Sequence, residues 1–253
     1  MEIGYHIKCK KGDIAKNVIV VGDPGRATLA SKMMEDVRLV NENRGLLTYT
    51  GRYGDLEVTV ATHGMGAPSA AIVTEELLML GAQNIIRVGT TGAIQPHIDV
   101  GDVVVPSGAI PLDGATREYV PEGFCPVPDF FLTKALCEAI DRRGLRKHVG
   151  LIATFDLFYA EASSAELWRR RNVLSVEMEC STIFVFASTR GLHAGAILAV
   201  DGNLVKGTMK GPFKPHEKKG EFDPKVKDAI LLESKIALEA VKILDDWGVG
   251  KSA

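Results

Sequence analysis

Cysteine is scarce in this chain and poorly placed for chemistry. The four residues Cys9, Cys125, Cys137 and Cys180 include no C-x-x-C pair, and no histidine cluster joins them, so a zinc site is not expected. They read as small buried apolar residues of a reducing compartment; a disulfide would fit only a hyperthermophilic source. No excess of charge of one sign is present: 30 Lys and Arg face 32 Asp and Glu, for a net charge of −2. That excludes a broad basic field for nucleic acid or an anionic membrane. No apolar run approaches the roughly 20 residues needed to span a bilayer. The first residues, MEIGYHIKCKKGDIAK, contain no apolar stretch of signal-peptide type, so a cytoplasmic location is expected. Internal repeats, low-complexity segments and a linker that would split the chain are also missing. Residues 1–253 are therefore expected to form one domain.

What is present is an alternation of strands and helices, in a chain of ordinary composition with 46% apolar and 25% charged residues. Short β-branched runs at 17–22, 84–89, 101–106, 149–154 and 193–200 read as buried strands. The runs 46–53 and 56–62 flank Gly54-Asp55 and read as a hairpin. A helix-like stretch is expected after Asp23-Pro24-Gly25-Arg26 to about Met34, and a helix over 69–80 behind Pro68 with Gly81 as a stop. Further helices are expected over 129–144, 181–190 and 223–247. The pattern implies an α/β fold with a central mixed sheet flanked by helices. The charged stretch 206–227 reads as a solvated loop or a substrate lid, and Arg169-Arg170-Arg171 as a solvated helix end.

Glycines and polar groups gather at the carboxyl ends of these strands, where open α/β sheets place ligands. Gly22-Asp23-Pro24-Gly25-Arg26 offers close backbone approach and an arginine fork suited to phosphate. It matches neither dinucleotide nor triphosphatase glycine motifs. Arg87-Val88-Gly89-Thr90-Thr91-Gly92 offers hydroxyls and backbone N–H groups that can nest an anion. An arginine inside an apolar strand must meet a negative partner, either a ligand or a structural carboxylate. Glu177-Met178-Glu179 places two carboxylates where a strand passes into a helix. Strand alternation would put both on one face with Met178 elsewhere, suited to the vicinal hydroxyls of ribose. A paired-carboxylate glycosidase is the competing reading, disfavoured by the phosphate-type anchors alongside. Asp201, in Val-Asp-Gly-Asn, can protonate a leaving base or cap the next turn.

Five blocks carry a resemblance: VVGDPGRA (20–27), NENRGLLTYTG (41–51), ATHGMGAPSAAIVTEELLMLGA (61–82), RVGTTGAIQPHIDVGDVVV (87–105) and VEMECSTIF (176–184). Together, and in this order, they resemble the hexameric branch of the nucleoside phosphorylase-I family, over nearly the whole chain. That branch includes uridine phosphorylases, purine nucleoside phosphorylases and archaeal methylthioadenosine phosphorylases. The resemblance implies phosphorolysis of a ribonucleoside to free base and ribose 1-phosphate, with phosphate as co-substrate and no metal or organic cofactor. It implies that Gly22, Arg26, Arg87 and Thr90 bind phosphate, with Arg44 reaching in from a neighbouring subunit. His6 would come from that same neighbour, near the ribose 5′ end. Thr90, Thr91, Gly92, Phe158, Glu177, Met178 and Glu179 would line the nucleoside site, with Glu179 on the sugar hydroxyls. Arg87, Glu179 and Asp201 are the residues expected to act in catalysis. A homo-hexamer built as a trimer of dimers would follow.

Base preference stays open at this stage. The glutamine and arginine that read uracil in the family correspond here to Ala162 and Ser164. The aspartate that assists purine departure is displaced: Asp201 stands one residue early, with Gly202 in its place. Overall similarity leans to uridine phosphorylase. A one-residue shift at a strand end turns Asp201 to the opposite face, favouring the capping role unless Gly202 permits a bulge. A hydrolytic nucleosidase of the same fold and a non-catalytic nucleoside binder are the alternatives from other classes. The three arginines speak against the first, because water needs no cationic cradle.

Overall fold

Alternate residues of the first strand serve two different cores, and this explains the layering. In a computed structural model, residues 3–208 and 224–249 are described. The chain runs β1 (Asn17–Val21), α1 (Pro24–Ser31), β2 (Glu35–Asn41), β3 (Thr48–Tyr53), β4 (Leu56–Thr62), α2 (Ala67–Met79), β5 (Asn84–Ala93) and β6 (Val103–Pro111). It continues through α3 (Gly114–Tyr119), α4 (Phe130–Asp141), β7 (Lys147–Thr154), α5 (Glu161–Arg169), β8 (Ser175–Glu177), α6 (Cys180–Ser188), β9 (His193–Asn203) and α7 (Pro224–Asp246). Val18 and Val20 pack with Leu77 of α2 and Phe184 of α6. Ile19 and Val21 pack with Leu136 of α4 and Ile236 of α7 on the other face. Strands buried on both sides need apolar residues at every position, which is why they appear as continuous runs.

The nine strands form one mixed sheet in the order β2-β3-β4-β1-β5-β8-β7-β6-β9, with β9 pairing back onto β5. Strands β5 to β9 thus close on themselves, while β1 to β4 extend as an open wing. β5 is the strand shared by both parts. Its first half pairs with β1 as far as Val88, and on the same side β8 meets it only at Gly92 and Ala93. Among the described residues no strand covers that edge of β5 over Gly89, Thr90 and Thr91. The candidate site sits at this opening.

The expected hairpin is β3 and β4, antiparallel around Gly54, whose φ of 59° suits glycine. Helix α1 is capped by Asp23, which accepts from the Arg26 N–H, and ends at Ser31 rather than near Met34. Helix α2 begins at Ala67, with Pro68 in its first turn, and stops at Gly81 with φ 117°. Arg169 and Arg170 close α5 by pairing with Glu166, as a solvated helix end does. Residues 209–223 of the charged loop lie outside the described residues. Among the described residues no helix is long and apolar enough to cross a membrane.

Candidate active site

Arg87 lies near the middle of β5 with 3% of its surface exposed. Its guanidinium folds back over Gly89, where an added Cβ would stand 2.8 Å from Nη1 and 2.9 Å from Cζ. Glycine at 89 is therefore a spatial requirement rather than a conformational one. Three edges of the guanidinium are engaged. Nε donates to Glu177 Oε2 at 3.0 Å, Nη2 donates to Glu179 Oε2, and Nη1 donates to His63 Nε2 at 3.0 Å. Burial works against the arginine's charge, but the carboxylates of Glu179 and Glu177 outweigh it and raise its pKa.

The two carboxylates come together by a route other than strand alternation. β8 ends at Glu177, and Glu179 is already the residue before α6, with φ −146°. Glu177 turns back to accept from the Glu179 and Cys180 N–H groups and from the Thr154 hydroxyl. Glu179 accepts from the Gly66 N–H at 2.7 Å as well as from Arg87. Met178 between them is half-buried. Beside the pair, the Cys180 thiol is raised well above its ordinary pKa by burial and by Glu177. It is not a nucleophile.

Gly22 closes β1 beside this knot, and a Cβ there would stand 3.2 Å from the Gly64 carbonyl and 3.7 Å from His63 Cε1. Arg26, in the first turn of α1, is half-buried and makes no ion pair among the described residues. Its charge is felt by Glu233 on α7. Glu233 is fully buried, and its Oε2 accepts from the Ala199 N–H while Oε1 finds no partner. Burial raises its pKa well above the carboxylate range, with Arg26 and Arg87 opposing and Asp201 assisting. Thr90 and Thr91 are buried, and the Thr91 hydroxyl donates to the Val176 carbonyl, tying β5 to β8. At Gly92 a Cβ would stand 2.7 Å from Leu204. Phe158 is half-buried in a short turn and meets Tyr159 edge-on.

Asp201 corrects the face argument made from sequence. The pairing of β9 with β5 slips here, with Thr91 opposite Val200 and Gly92 opposite Gly202. Asp201 is the extra residue of a bulge, so a one-residue shift in sequence does not send its side chain to the opposite face. It is 7% exposed and interacts with buried Glu233.

His6 and Arg44 form a separate unit. His6 Nδ1 lies 2.7 Å from Glu76 Oε1, and Glu76 also accepts from the His6 and Ile7 N–H groups. Burial would raise the Glu76 pKa, yet these hydrogen bonds hold it below the usual range. Asn43 donates to the His6 carbonyl at 2.6 Å and clips the Asn43–Gly45 turn to it. In that turn Arg44 is exposed, with φ 59°. Among the described residues no hydrogen bond or ion pair joins this unit to Arg87 or its partners.

His63, Gly66 and Glu233 were not singled out from sequence. The first two stand in the ATHGMG run at the end of β4, a polar strand end that could have flagged them. Glu233 lies in an amphipathic helix and gave no signal.

A family model described as the phosphorylase superfamily matches residues 16–236. A uridine phosphorylase of Thermococcus kodakarensis is 37% identical over 96% of this chain and 87% of its own. A guanosine phosphorylase of Halorubrum lacusprofundi is 37% identical over 94% of this chain and 98% of its own. The crystal structure of a uridine phosphorylase from Vibrio fischeri superposes with a TM-score of 0.86 at 28% identity, covering 96% and 98% of the two chains.

Proposed function

The chain belongs to the phosphorylase superfamily, and from that premise we propose that it is a nucleoside phosphorylase acting on uridine. The reaction is reversible cleavage of the glycosidic bond by inorganic phosphate, giving free base and ribose 1-phosphate. The observation that carries this reading is the buried knot of Arg87, Glu177 and Glu179 at the uncovered edge of β5. It sets an anion anchor beside the Glu179 carboxylate, with Glu177 held behind it by internal donors.

In this reading Arg26, Arg87, Thr90 and the Gly22 turn hold phosphate beneath the sugar ring, a positioning effect. Glu179, with Glu177 behind it, accepts from the ribose hydroxyls. As the base departs, the glycosidic carbon takes on oxocarbenium character, and the phosphate charge stabilises it. Phe158 and Met178 flank the nucleoside. The charge balance is in keeping with a second copy. Arg87 with its two carboxylates sums to −1, and Arg26 brings the cluster only to neutrality. An additional cation would favour a phosphate dianion, and in this reading Arg44 of the partner subunit provides it. A dimer as catalytic unit, assembled into a hexamer, belongs to this proposal, as does a cytoplasmic location, which suits the buried thiols Cys9 and Cys180.

One observation favours a purine nucleoside as substrate instead. With the register slip at Asp201, its carboxyl group need not face away from the position a purine-assisting acid would take. The similarity to a guanosine phosphorylase is in keeping with it. The test is a nucleoside panel with and without phosphate, with products identified. Phosphate-dependent release of uracil and ribose 1-phosphate is the expected result. Equal turnover in phosphate-free buffer, with free ribose as product, would contradict it.

A further inference from the structure

Among the described residues, the partners of Arg87 are two carboxylates and the imidazole of His63, and the imidazole is the different one. It is fully buried at the end of β4. Its backbone is fixed on both sides: the N–H donates to the Val21 carbonyl at 2.8 Å, and the carbonyl accepts from the Ser69 hydroxyl at 2.5 Å. The ring therefore stands in a set place between the end of β1 and Arg87, with Cε1 facing the Gly22 turn.

The contact with Arg87 determines the state of the ring. A guanidinium has donors only, so His63 Nε2 accepts and the ring proton sits on Nδ1. Burial, then the charge of Arg87, push the imidazole pKa well below its ordinary value, with the Gly64 backbone opposing. Burial and the neighbouring guanidinium both favour the neutral ring.

Counting donors shows what this achieves. Arg87 has five N–H groups. Among the described residues Glu177, Glu179 and His63 each take one, leaving one on Nη1 and one on Nη2. A carboxylate in place of His63 would bring the knot to −2 and repel a phosphate dianion. An apolar residue would leave a third N–H without an acceptor and the Nη1 end free to turn. A neutral acceptor fixes the fork without spending its charge.

We propose that His63 is a positioning residue for phosphate: by accepting from Nη1 it orients the two remaining N–H groups of Arg87 toward the anion at the Gly22 turn. This rests on the phosphorylase reading above. The experiment therefore begins with wild-type turnover over a series of inorganic phosphate concentrations. Turnover independent of phosphate would remove both the functional reading and this inference. Given phosphate dependence, His63→Ala is expected to raise the phosphate KM about tenfold or more, the nucleoside KM moving less than about threefold. His63→Gln, whose amide oxygen can accept the same bond, is expected to return the phosphate KM to within about threefold of wild type. His63→Glu is expected to weaken phosphate more than His63→Ala does. An unchanged phosphate KM in His63→Ala, or equal losses in the alanine and glutamine variants, would overturn the inference while leaving the phosphorylase reading intact. Should His63→Ala not fold, nitrogen-15 NMR of the wild-type ring decides. The neutral form protonated on Nδ1 is expected across about pH 5 to 8, with the Nε2 signal moving when inorganic phosphate is added. A ring protonated on Nε2, or indifferent to phosphate, would overturn it.

Discussion

Arg87 and Arg44 are both expected around one phosphate, yet they sit in opposite physical settings. Arg87 is buried, folded over a glycine, and held by two carboxylates and an imidazole. Arg44 is exposed, stands in a left-handed turn, and makes no ion pair among the described residues. A left-handed backbone at a non-glycine residue costs on the order of 1 kcal/mol, and surrounding contacts must hold it. Here the Asn41 and Asn43 side chains do so: Asn41 donates to the Leu46 carbonyl and accepts from the Asn43 N–H, and Asn43 clips the turn to His6. The contrast teaches that the Arg87 knot is held together wholly by groups of its own chain. The Arg44 turn is held in shape by its asparagines but touches nothing of the Arg87 knot among the described residues.

The largest expected effect falls on the buried half. Arg87→Ala should lower phosphorolysis at least about a hundredfold, because it removes a charge-assisted anchor and leaves Glu177 and Glu179 buried without their cation. Steady-state kinetics on the folded variant measures this; a loss under about tenfold would mean that Arg87 is a structural ion pair. Gly89→Ala comes next. Its methyl would have to displace the guanidinium from contact distances of 2.8–3.0 Å. A loss of roughly tenfold or more in kcat/KM is expected, with the fold retained.

Asp201→Asn separates the two substrate readings. If the carboxyl protonates a departing purine, purine cleavage should fall about tenfold or more while uridine cleavage stays nearly intact. Similar effects on both, with a stability change near 1 kcal/mol or less, would return Asp201 to a local structural role. The smallest effect concerns Glu233, behind the buried arginine. Its folded pKa is raised, so the native state holds a proton that the unfolded chain has released above about pH 4.5. Stability should therefore fall as pH rises from about 4.5 toward the raised folded pKa, with a slope of no more than about 1.4 kcal/mol per pH unit. Glu233→Gln should lose that slope in denaturant titrations at several pH values; a slope shared by both proteins would assign it to another group.

Much of the fold was legible because both faces of β1, β5 and β9 are covered and their apolar runs are unbroken. Hairpin β3–β4 and helix α2 announced themselves through Gly54, Pro68 and Gly81. β2 did not: its residues are mostly exposed at the sheet edge and its pairing slips twice, so no alternation survives. The acidic pair was legible as residues but not as geometry, since Glu179 reaches Arg87 from a helix entrance. The bulge at Asp201 became visible only against the register of the neighbouring strand. His63 was hidden because a histidine at a strand end looks the same whether it binds ligand, packs, or holds another residue's charge.

The central claim is that the two halves belong to one site built by two copies of the chain, and it can be tested by mixing. Arg87→Ala and Arg44→Ala proteins, each of low activity alone, are combined under conditions where subunits exchange, with exchange followed by a tag on one of them. In a mixed dimer one site carries both lesions and the other carries neither, so recovery toward about a quarter of wild-type activity is predicted. Demonstrated exchange with no recovery, or full activity of wild-type protein diluted to a monomer, would contradict the account.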